Sequence, residues 1–277
     1  MARGIDHLVL PVRDLSAARS TYAALGFTLT PRAVHPFGTA NSLIQLQGCY
    51  LELLEIDAPD KIPPSEEPAS FAQFNRDFLE NTEGFSMLVV TGGDAEEDYE
   101  AFRAAGLAAR EPFSFERDAE LPDGSTGRVA FTLVFVDYPH AKNTGFFTCS
   151  HHRPEVFWQR AYANHANGAC SIADVELIAP DADAMGAFIA ALSGAQAVVE
   201  PTGGRVVDTG RGTVSILPAR PGDKVAPRFA SFTLKTRDLA GVADHARRAD
   251  IACCETQSGL EFGSQVMYGV QVKFSAA

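Results

Sequence analysis

A fourfold repeat of one short pattern constrains the fold of this chain more than any single motif does. Each copy has an apolar run, an aspartate, an alanine-rich segment and a closing glycine or polar residue. The aspartate and the closing residue lie 12 residues apart in the first, second and fourth copies and 13 apart in the third. The four pairs are Asp14 and Gly26, Asp94 and Gly106, Asp181 and Gly194, and Asp238 and Asp250. Because aspartate caps a first helical turn and glycine accepts the left-handed conformation after a last turn, each pair predicts one helix.

Short strand-like runs follow each predicted helix. In the first copy these runs cover residues 27–30, 41–47 and 50–56, so the copy is predicted to form a βαβββ unit. A four-stranded sheet with one helix leaves a face uncovered, so two copies must pair and curve around a shared cavity. We predict an α+β fold of four βαβββ modules that form two paired, curved half-barrel sheets with the helices outside. The first pair is predicted to span residues 1–166 and the second pair residues 167–277.

Charge, hydropathy and cysteine content restrict the class of partner. The chain has 35 acidic and 23 basic residues, and its net charge of −12 repels nucleic-acid phosphates and anionic membrane surfaces. No stretch of the sequence approaches the length of a membrane span, and the five cysteines form no C-x-x-C pair. We therefore predict a cytoplasmic protein that binds a small molecule, with no nucleic-acid or membrane partner and with a homodimer as a candidate assembly.

Three short stretches carry a resemblance to a known superfamily. They are GIDHLV at residues 4–9, HPFGTAN at 35–41 and YLEL at 50–53. With the tandem βαβββ pattern, they resemble the glyoxalase-like branch of the vicinal oxygen chelate superfamily, which includes glyoxalase I, extradiol dioxygenases, and bleomycin and fosfomycin resistance proteins. This resemblance implies up to four inward ligand positions in each pair, one on the first and one on the last strand of each copy.

Counting along the repeat assigns residues to those implied positions. Seven residues before the caps lie His7, Met87, Asp174 and Ser231. Four residues after the glycine that precedes each last strand lie Glu52, Cys149, Ile216 and Lys273. Only the first copy has both an imidazole and a carboxylate, which could bind a divalent metal such as Zn²⁺, Ni²⁺, Mn²⁺ or Fe²⁺. The second pair is therefore predicted to be degenerate, with the chemistry in the first pair.

A third metal ligand could come from the end of the second copy. Strand alternation places Cys149 and His151 on one face, so we predict a metal site formed by His7, Glu52 and His151. The same residues also permit purely structural interpretations: a hydrogen-bonded His7–Glu52 pair that only joins two strands, an inert Cys149 thiol and a solvent-exposed His151.

Candidate substrate-binding residues surround Glu52 in the predicted sheet. They are Tyr50, on the same strand face, and His35 and Asn41, in a segment that is expected to lead to the cavity mouth but also fits ordinary turn chemistry. The resemblance implies a metal-assisted lyase or isomerase acting on a small oxygenated molecule, with Glu52 as the catalytic base if it leaves the metal. The alternative is a metal-free binding or sequestering protein of the bleomycin-resistance type, which the incomplete ligand set and the 19 phenylalanines favour.

Overall fold

Two mixed β-sheets dominate the computed structural model, which describes residues 2–64, 69–139, 141–201, 203–220 and 226–277. The first sheet comprises β1 (Ile5–Pro11), β2 (Ala33–Val34), β3 (Thr39–Gln45), β4 (Tyr50–Ile56), β5 (Met87–Thr91), β6 (Ala108–Ala109), β7 (Phe113–Glu120), β8 (Thr126–Asp137) and β9 (Gly145–His151). The second comprises β10 (Ala169–Ala179), β11 (Ala197–Val199), β12 (Arg205–Asp208), β13 (Thr213–Pro218), β14 (Arg228–Thr236), β15 (Cys254–Thr256), β16 (Gly259–Phe262) and β17 (Gln271–Ala276).

The helices alternate with these strands as the repeat predicts. They are α1 (Leu15–Ala24), α2 (Phe71–Asn81), α3 (Ala95–Ala104), α4 (Pro154–Phe157), α5 (Ala182–Ser193) and α6 (Leu239–Arg248). The four repeat helices are α1, α3, α5 and α6, whereas α2 and α4 lie outside the repeat. None of the helices in the described ranges combines the length and apolarity that a bilayer span requires.

Strand order shows that the modules pair symmetrically. The first sheet runs β2-β3-β4-β1-β5-β9-β8-β6 with β7 also on β8, and the second runs β11-β12-β13-β10-β14-β17-β16-β15. In every module the first strand is parallel to the last, and the two first strands of a pair meet antiparallel at the centre. The predicted α+β fold of paired, curved βαβββ modules is confirmed.

Helix ends occur where the repeat places them. All four predicted aspartates are N-caps whose side chains accept hydrogen bonds from first-turn N–H groups. The four closing residues all have positive φ, from 87° at Gly26 to 55° at Asp250. Leu8 pairs with Leu88, and Val175 pairs with Phe232, each six residues before its cap. The two copies in each sheet are therefore related by a local two-fold axis that passes between these paired residues. The alignment of the first strands by their distance from the caps holds.

The last strands need a correction. In register with His7, Met87, Asp174 and Ser231 lie Tyr50, Gly145, Thr213 and Gln271. Two residues further on lie Glu52, Phe147, Ser215 and Lys273, so Phe147 and Ser215 replace the predicted Cys149 and Ile216. The preceding glycine is an unreliable anchor because Gly48 lies two residues before its pairing position, whereas Gly145 occupies it. The predicted strand over residues 27–30 is also wrong: the chain there is irregular, and the strand follows at β2.

Packing places one core between the sheets and another on the first sheet alone. Buried residues of both sheets and of the repeat helices form one apolar cluster, in which the Phe85 and Phe229 rings stack 3.9 Å apart. A separate, aromatic-rich cluster lies on the other face of the first sheet and includes Phe71 of α2 and Phe157 of α4. The division into domains at residues 166 and 167 stays a prediction, since the larger cluster spans both sheets.

Candidate active site

A pocket lies on the concave face of the first sheet, with about 400 Å³ of empty space that is partly open to solvent. Its aromatic walls are Phe37, Tyr50, Phe71, Phe115, Phe131, Phe147 and Phe157. Its polar side chains are His7, His35, Asn41, Glu52 and Arg117, with the Cys149 thiol beside them. The cavity thus combines a mostly apolar wall with a few convergent polar groups, the composition typical of a small-molecule site.

Central strands of the first sheet are buried on both faces, which is why polar residues here are sheltered from water. Every residue of β1 and β3 is buried. β4 lies between these strands, with Glu52 in register with Val9 on one side and Leu43 on the other. The insertion α2 begins with a complete capping box at Ser70 and Gln73 and places Phe71 over the cavity.

His7 is held by neighbours on both sides of its ring. Its Nδ1 lies 2.7 Å from Oδ1 of Asp6, and its ring stacks on Tyr50 with centroids 4.3 Å apart. Since a carboxylate can only accept, Nδ1 carries the proton of this hydrogen bond. In the neutral imidazole Nε2 then has the free lone pair, and it lies 3.7 Å from Oε2 of Glu52.

Asp6 is the residue at this site that sequence reasoning missed. Its carboxylate also accepts a hydrogen bond from Nε2 of His151 at 3.1 Å, so it joins two imidazoles. Burial alone raises the pKa of Asp6, but the hydrogen bonds from His151 and His7 outweigh it and hold the pKa well below the ordinary value of 3.8. A register shift between Ile5 and His7 interrupts the β1–β5 ladder at Asp6. The only local signal was the Asp-His dipeptide itself.

His151 is not brought to the His7–Glu52 edge as a third ligand. Its Nε2 faces Asp6, and its Nδ1 is buried without a hydrogen-bond partner among the described residues. In this structure His7 and Glu52 meet while His151 lies behind Asp6, and a metal site formed by His7, Glu52 and His151 stays a prediction. The physical reason for this position of His151 is the Asp6 carboxylate, which engages His151 before that ring can reach Glu52.

Glu52 is oriented by a chain of neutral polar groups. Asn41 donates from Nδ2 to Oε1 of Glu52 at 2.6 Å, and the same nitrogen lies 3.2 Å from Nε2 of His35. His35 Nδ1 lies 2.8 Å from Oγ1 of Thr39, to which it can donate a hydrogen bond. Burial, with the nearby Arg117 charge, lowers the pKa of His35 well below 6.5, so that ring is neutral and accepts from Asn41.

The three predicted substrate-binding residues all line the cavity, and each of them contacts another side chain of the site. His35 and Asn41 are bonded to each other and to Glu52, and the Tyr50 ring supports His7. Burial raises the pKa of Tyr50 well above 10, so its phenol stays protonated.

The donor set permits a metal at one place. His7 Nε2 and Glu52 Oε2 are separated by 3.7 Å, a distance that two ligand atoms about 2.0–2.2 Å from one ion can have. Asp6 on the far nitrogen of His7 is the outer partner that metal-binding imidazoles usually have. Ligand atoms of Asp6, His7 and Cys149 also lie within 4.8 Å of one another. Burial raises the Cys149 pKa well above 9.0, so that sulfur is a protonated thiol when no metal is bound.

Arg117 is the second residue that sequence reasoning missed. It lies on β7, lines the cavity and is only 6% exposed. No motif marks it, because a single arginine in the charged strand sequence FSFERDAE resembles any solvent-facing residue.

Comparison with known proteins agrees with this architecture. A glyoxalase-like domain family model matches residues 5–193. A search of curated proteins finds no match. A hypothetical protein from Staphylococcus aureus has a similar structure, with a TM-score of 0.71, 15% identity and 99% of each chain covered.

Two further solved structures are similar over 100% of this chain. The Mn(II)-bound glyoxalase from Novosphingobium aromaticivorans has a TM-score of 0.60 and 13% identity, with 83% of its own chain covered. Homoprotocatechuate 2,3-dioxygenase from Arthrobacter globiformis has a TM-score of 0.61 and 13% identity, with 80% of its chain covered. At these identities the likeness concerns the fold.

Paired βαβββ sheets around a cavity with an inward imidazole and carboxylate define a protein of the vicinal oxygen chelate class. Because the family model covers more than half of its residues, the chain belongs to the glyoxalase-like domain family of that superfamily.

Proposed function

We propose that the protein is a glyoxalase-like, metal-assisted lyase or isomerase that moves a proton on a small oxygenated molecule in the first-sheet cavity. His7 and Glu52 would hold the divalent metal, and Zn²⁺, Ni²⁺, Mn²⁺ and Fe²⁺ are the candidate ions. The observation that carries the proposal is the buried approach of His7 Nε2 and Glu52 Oε2 at 3.7 Å, with His7 oriented from behind by Asp6.

Glu52 has the geometry of a proton acceptor. Asn41 donates to Oε1, which leaves Oε2 as the oxygen directed toward His7. If Glu52 leaves the metal, a substrate carbon acid near that edge would transfer its proton to Oε2, and Asn41 would keep the carboxyl group in place during the transfer. A divalent ion bound there supplies Lewis-acid stabilisation of the oxyanion that results.

Aromatic walls keep water from the reacting groups. Phe71, Phe131 and Phe147 lie around the same cavity and are each no more than 7% exposed. Electrostatic interactions between the polar groups are stronger in such surroundings than in water. We infer that the walls both select an apolar ligand and protect the proton transfer from solvent.

A metal-free binding protein is the second candidate, and one observation favours it. Met87 and Phe147 occupy the positions related by the local two-fold to His7 and Glu52, so the second module supplies neither imidazole nor carboxylate there. Under this alternative His7, Asp6 and Glu52 form a buried polar network, and the aromatic cavity sequesters its ligand without reaction.

Metal titration of the untagged protein and of Glu52→Gln separates these functions. A metal that binds only the folded state should stabilise the wild-type protein by about 2.7 kcal/mol at 100 times its Kd. Glu52→Gln should lose that shift, while its free energy of unfolding without metal stays equal to that of the wild-type protein or rises, since a buried charge is removed. Lys273→Gln is the matched control, because Lys273 occupies the corresponding position of the second sheet.

Two results would contradict the enzyme proposal. If the wild-type protein shows no metal-dependent shift after reconstitution with any of the four ions, the sequestering function is favoured. If Glu52→Gln unfolds more easily by about 1–3 kcal/mol while metal binding is unchanged, Glu52 only joins strands.

A further inference from the structure

Arg117 is a buried cation without a protein anion. Its Nη1 donates to the backbone carbonyl of Asp118 at 3.2 Å, and its Nε is buried without a hydrogen-bond partner among the described residues. By contrast, Arg110 has a paired carboxylate at Asp137, 2.8 Å from its Nε. No carboxylate of the described chain lies within 4 Å of the Arg117 guanidinium.

An unpaired buried charge is costly, so its persistence at this position needs a reason. Isolated charges inside proteins are normally paired or serve a function. Glu52 attracts Arg117 from beyond ion-pair distance, which offsets only part of the cost of burial. An arginine cannot escape by losing its proton, because its intrinsic pKa is too high. The free Nε–H therefore points to an anion that arrives with the ligand.

The position of Arg117 allows such an anion to enter. Arg117 and His35 line both the cavity and an adjoining surface groove that is bordered by Ala33, Pro36 and Glu116. Arg117 thus lies where the cavity meets solvent, while Glu52 and His7 lie inside the same cavity. A ligand that is charged at one end and apolar at the other would fit this order of groups.

The surroundings of Arg117 distinguish the kind of anion. Among the described residues that line the cavity, Arg117 is the single arginine or lysine, so it can balance one negative charge, whereas a phosphate dianion needs several cations or N–H donors. The planar guanidinium fork matches a carboxylate. Aromatic rings continue from this point, with Phe37 and Phe115 centroids 5.1 Å apart and Phe115 and Phe131 5.3 Å apart. Edge and face contacts with such rings favour a planar aromatic group.

We propose that the cavity binds a small aromatic monocarboxylic acid and that Arg117 is the residue that recognises its carboxylate. The inference rests on the proposed function only in placing the substrate in this cavity. The carboxylate binds the Arg117 Nε–H, the ring lies among the phenylalanines, and the remaining substituent faces Glu52 and His7. Arg117 is then a specificity-determining residue for a reaction that occurs at the other end of the ligand.

Paired acids and amides test this assignment in the full-length protein. Phenylacetate and phenylacetamide are titrated by calorimetry, first after chelator treatment and then with metal restored, so that binding to Arg117 is separated from binding to a metal. Trp158 is the single tryptophan, and its ring lies 5.8 Å from that of Tyr50, so its fluorescence gives a second readout. Acetate, which lacks the ring, reports the aromatic contribution.

The variants are Arg117→Met, Arg117→Lys and Arg128→Met. Arg128 is the matched control because it lies on the paired strand β8, is exposed and is bound to Glu116 and Asp118. We expect wild-type protein to bind phenylacetate about tenfold or more tightly than phenylacetamide. Arg117→Met should abolish that difference, Arg117→Lys should keep part of it, and Arg128→Met should keep all of it.

Three outcomes would overturn the inference: equal binding of acid and amide by the wild-type protein, undiminished acid binding by Arg117→Met, or no binding of phenylacetate. Failure of the proposed enzyme function is distinguishable. A protein that prefers the acid through Arg117 but retains no metal would support this inference and remove the metal-assisted reaction.

Discussion

The two sheets have the same strand topology, but their concave faces differ in burial and polarity. The first sheet is buried on both sides of its central strands, and its concave face is an aromatic cavity. On the second sheet the corresponding face is half-exposed and polar, and Glu176 pairs there with Lys273 at 2.7 Å. Duplicated modules therefore share a fold without sharing an environment, and only an enclosed face can shelter an imidazole and a carboxylate from water.

Segments outside the repeat account for this difference. Residues 57–86 connect the two modules of the first sheet and include α2, whose Phe71 covers the cavity. In the second sheet only residues 219–227 separate β13 from β14. Without a comparable insertion, strands β13 and β17 alternate buried apolar residues with half-exposed polar ones, as strands do in a sheet that is covered on one face only.

The largest expected effect compares corresponding first-strand positions of the two sheets. His7→Gln should reduce divalent-metal affinity and turnover by about 100-fold or more, because an imidazole ligand is lost from a site with two protein ligands. Ser231→Ala, at the corresponding position of the fourth copy, should change neither. Metal calorimetry on both variants measures this contrast. Equal losses in the two would place the chemistry outside the first sheet.

The next effect concerns the residue behind His7. Asp6→Asn keeps the size of the side chain but removes the charge that joins His7 and His151, and it should lower metal affinity by about 10–100-fold. Glu176→Gln, which removes a bonded carboxylate from the second sheet, is the control and should leave metal affinity unchanged. Unaltered metal affinity in Asp6→Asn would mean that Asp6 has no role in orienting His7.

The third prediction concerns two helix-end glycines, one packed against the second half of the chain and one with open space around it. Gly26 and Gly106 both have left-handed backbones, at φ values of 87° and 78°. A Cβ on Gly26 would lie 2.9 Å from the ring of His245, in the second half of the chain, whereas a Cβ on Gly106 would meet nothing within 4 Å. We expect Gly106→Ala to cost about 1 kcal/mol and Gly26→Ala about 2–4 kcal/mol. Denaturant melts that rank them equally would show that the His245 contact relaxes freely.

The smallest effect is a pair of pH dependences with opposite sign on the second sheet. Burial raises the pKa of Glu176, but hydrogen bonds from Lys273 and Ser231 outweigh it and leave the pKa below 4.5. Ionised Glu176 therefore stabilises the fold above that pH, and the contribution disappears as pH falls through the lowered pKa. Glu176→Gln should lower the free energy of unfolding by about 0.5–1 kcal/mol at pH 7, and should have no effect at a pH where Glu176 is fully protonated.

Asp174 supplies the opposite sign on the same face. Burial raises its pKa above 3.8 despite hydrogen bonds from Thr213 and Ser215, so its ionised form opposes folding at neutral pH. Asp174→Asn should leave the pH 7 stability equal or slightly higher. Thermal melts from pH 7 to pH 3 compare both variants with the wild-type protein. A lower stability of Asp174→Asn at pH 7 would show that its hydrogen bonds outweigh its desolvation.

Local signals explain what could be predicted at the site. His7 and Glu52 were proposed because the family resemblance implies ligand positions on the first and last strands, and counting from the cap and the turn glycine reached these residues in the first copy. Asp6 and Arg117 were not found, since their importance depends on partners far along the chain, His151 for Asp6 and the cavity walls for Arg117. The placement of His151 was missed for the same reason: alternation gave its face but not the Asp6 carboxylate that it contacts.

By itself the sequence determined the four helices with their caps and the pairing of modules. These depend on interactions within one repeat, such as a side chain closing a helical turn. The tertiary structure alone decided the register of the last strands, which replaced Cys149 with Phe147, and the crowding at Gly92. A Cβ on Gly92 would lie 2.9 Å from the carbonyl carbon of Cys149. Such features depend on distances between segments that are remote in sequence, and local patterning does not specify those distances.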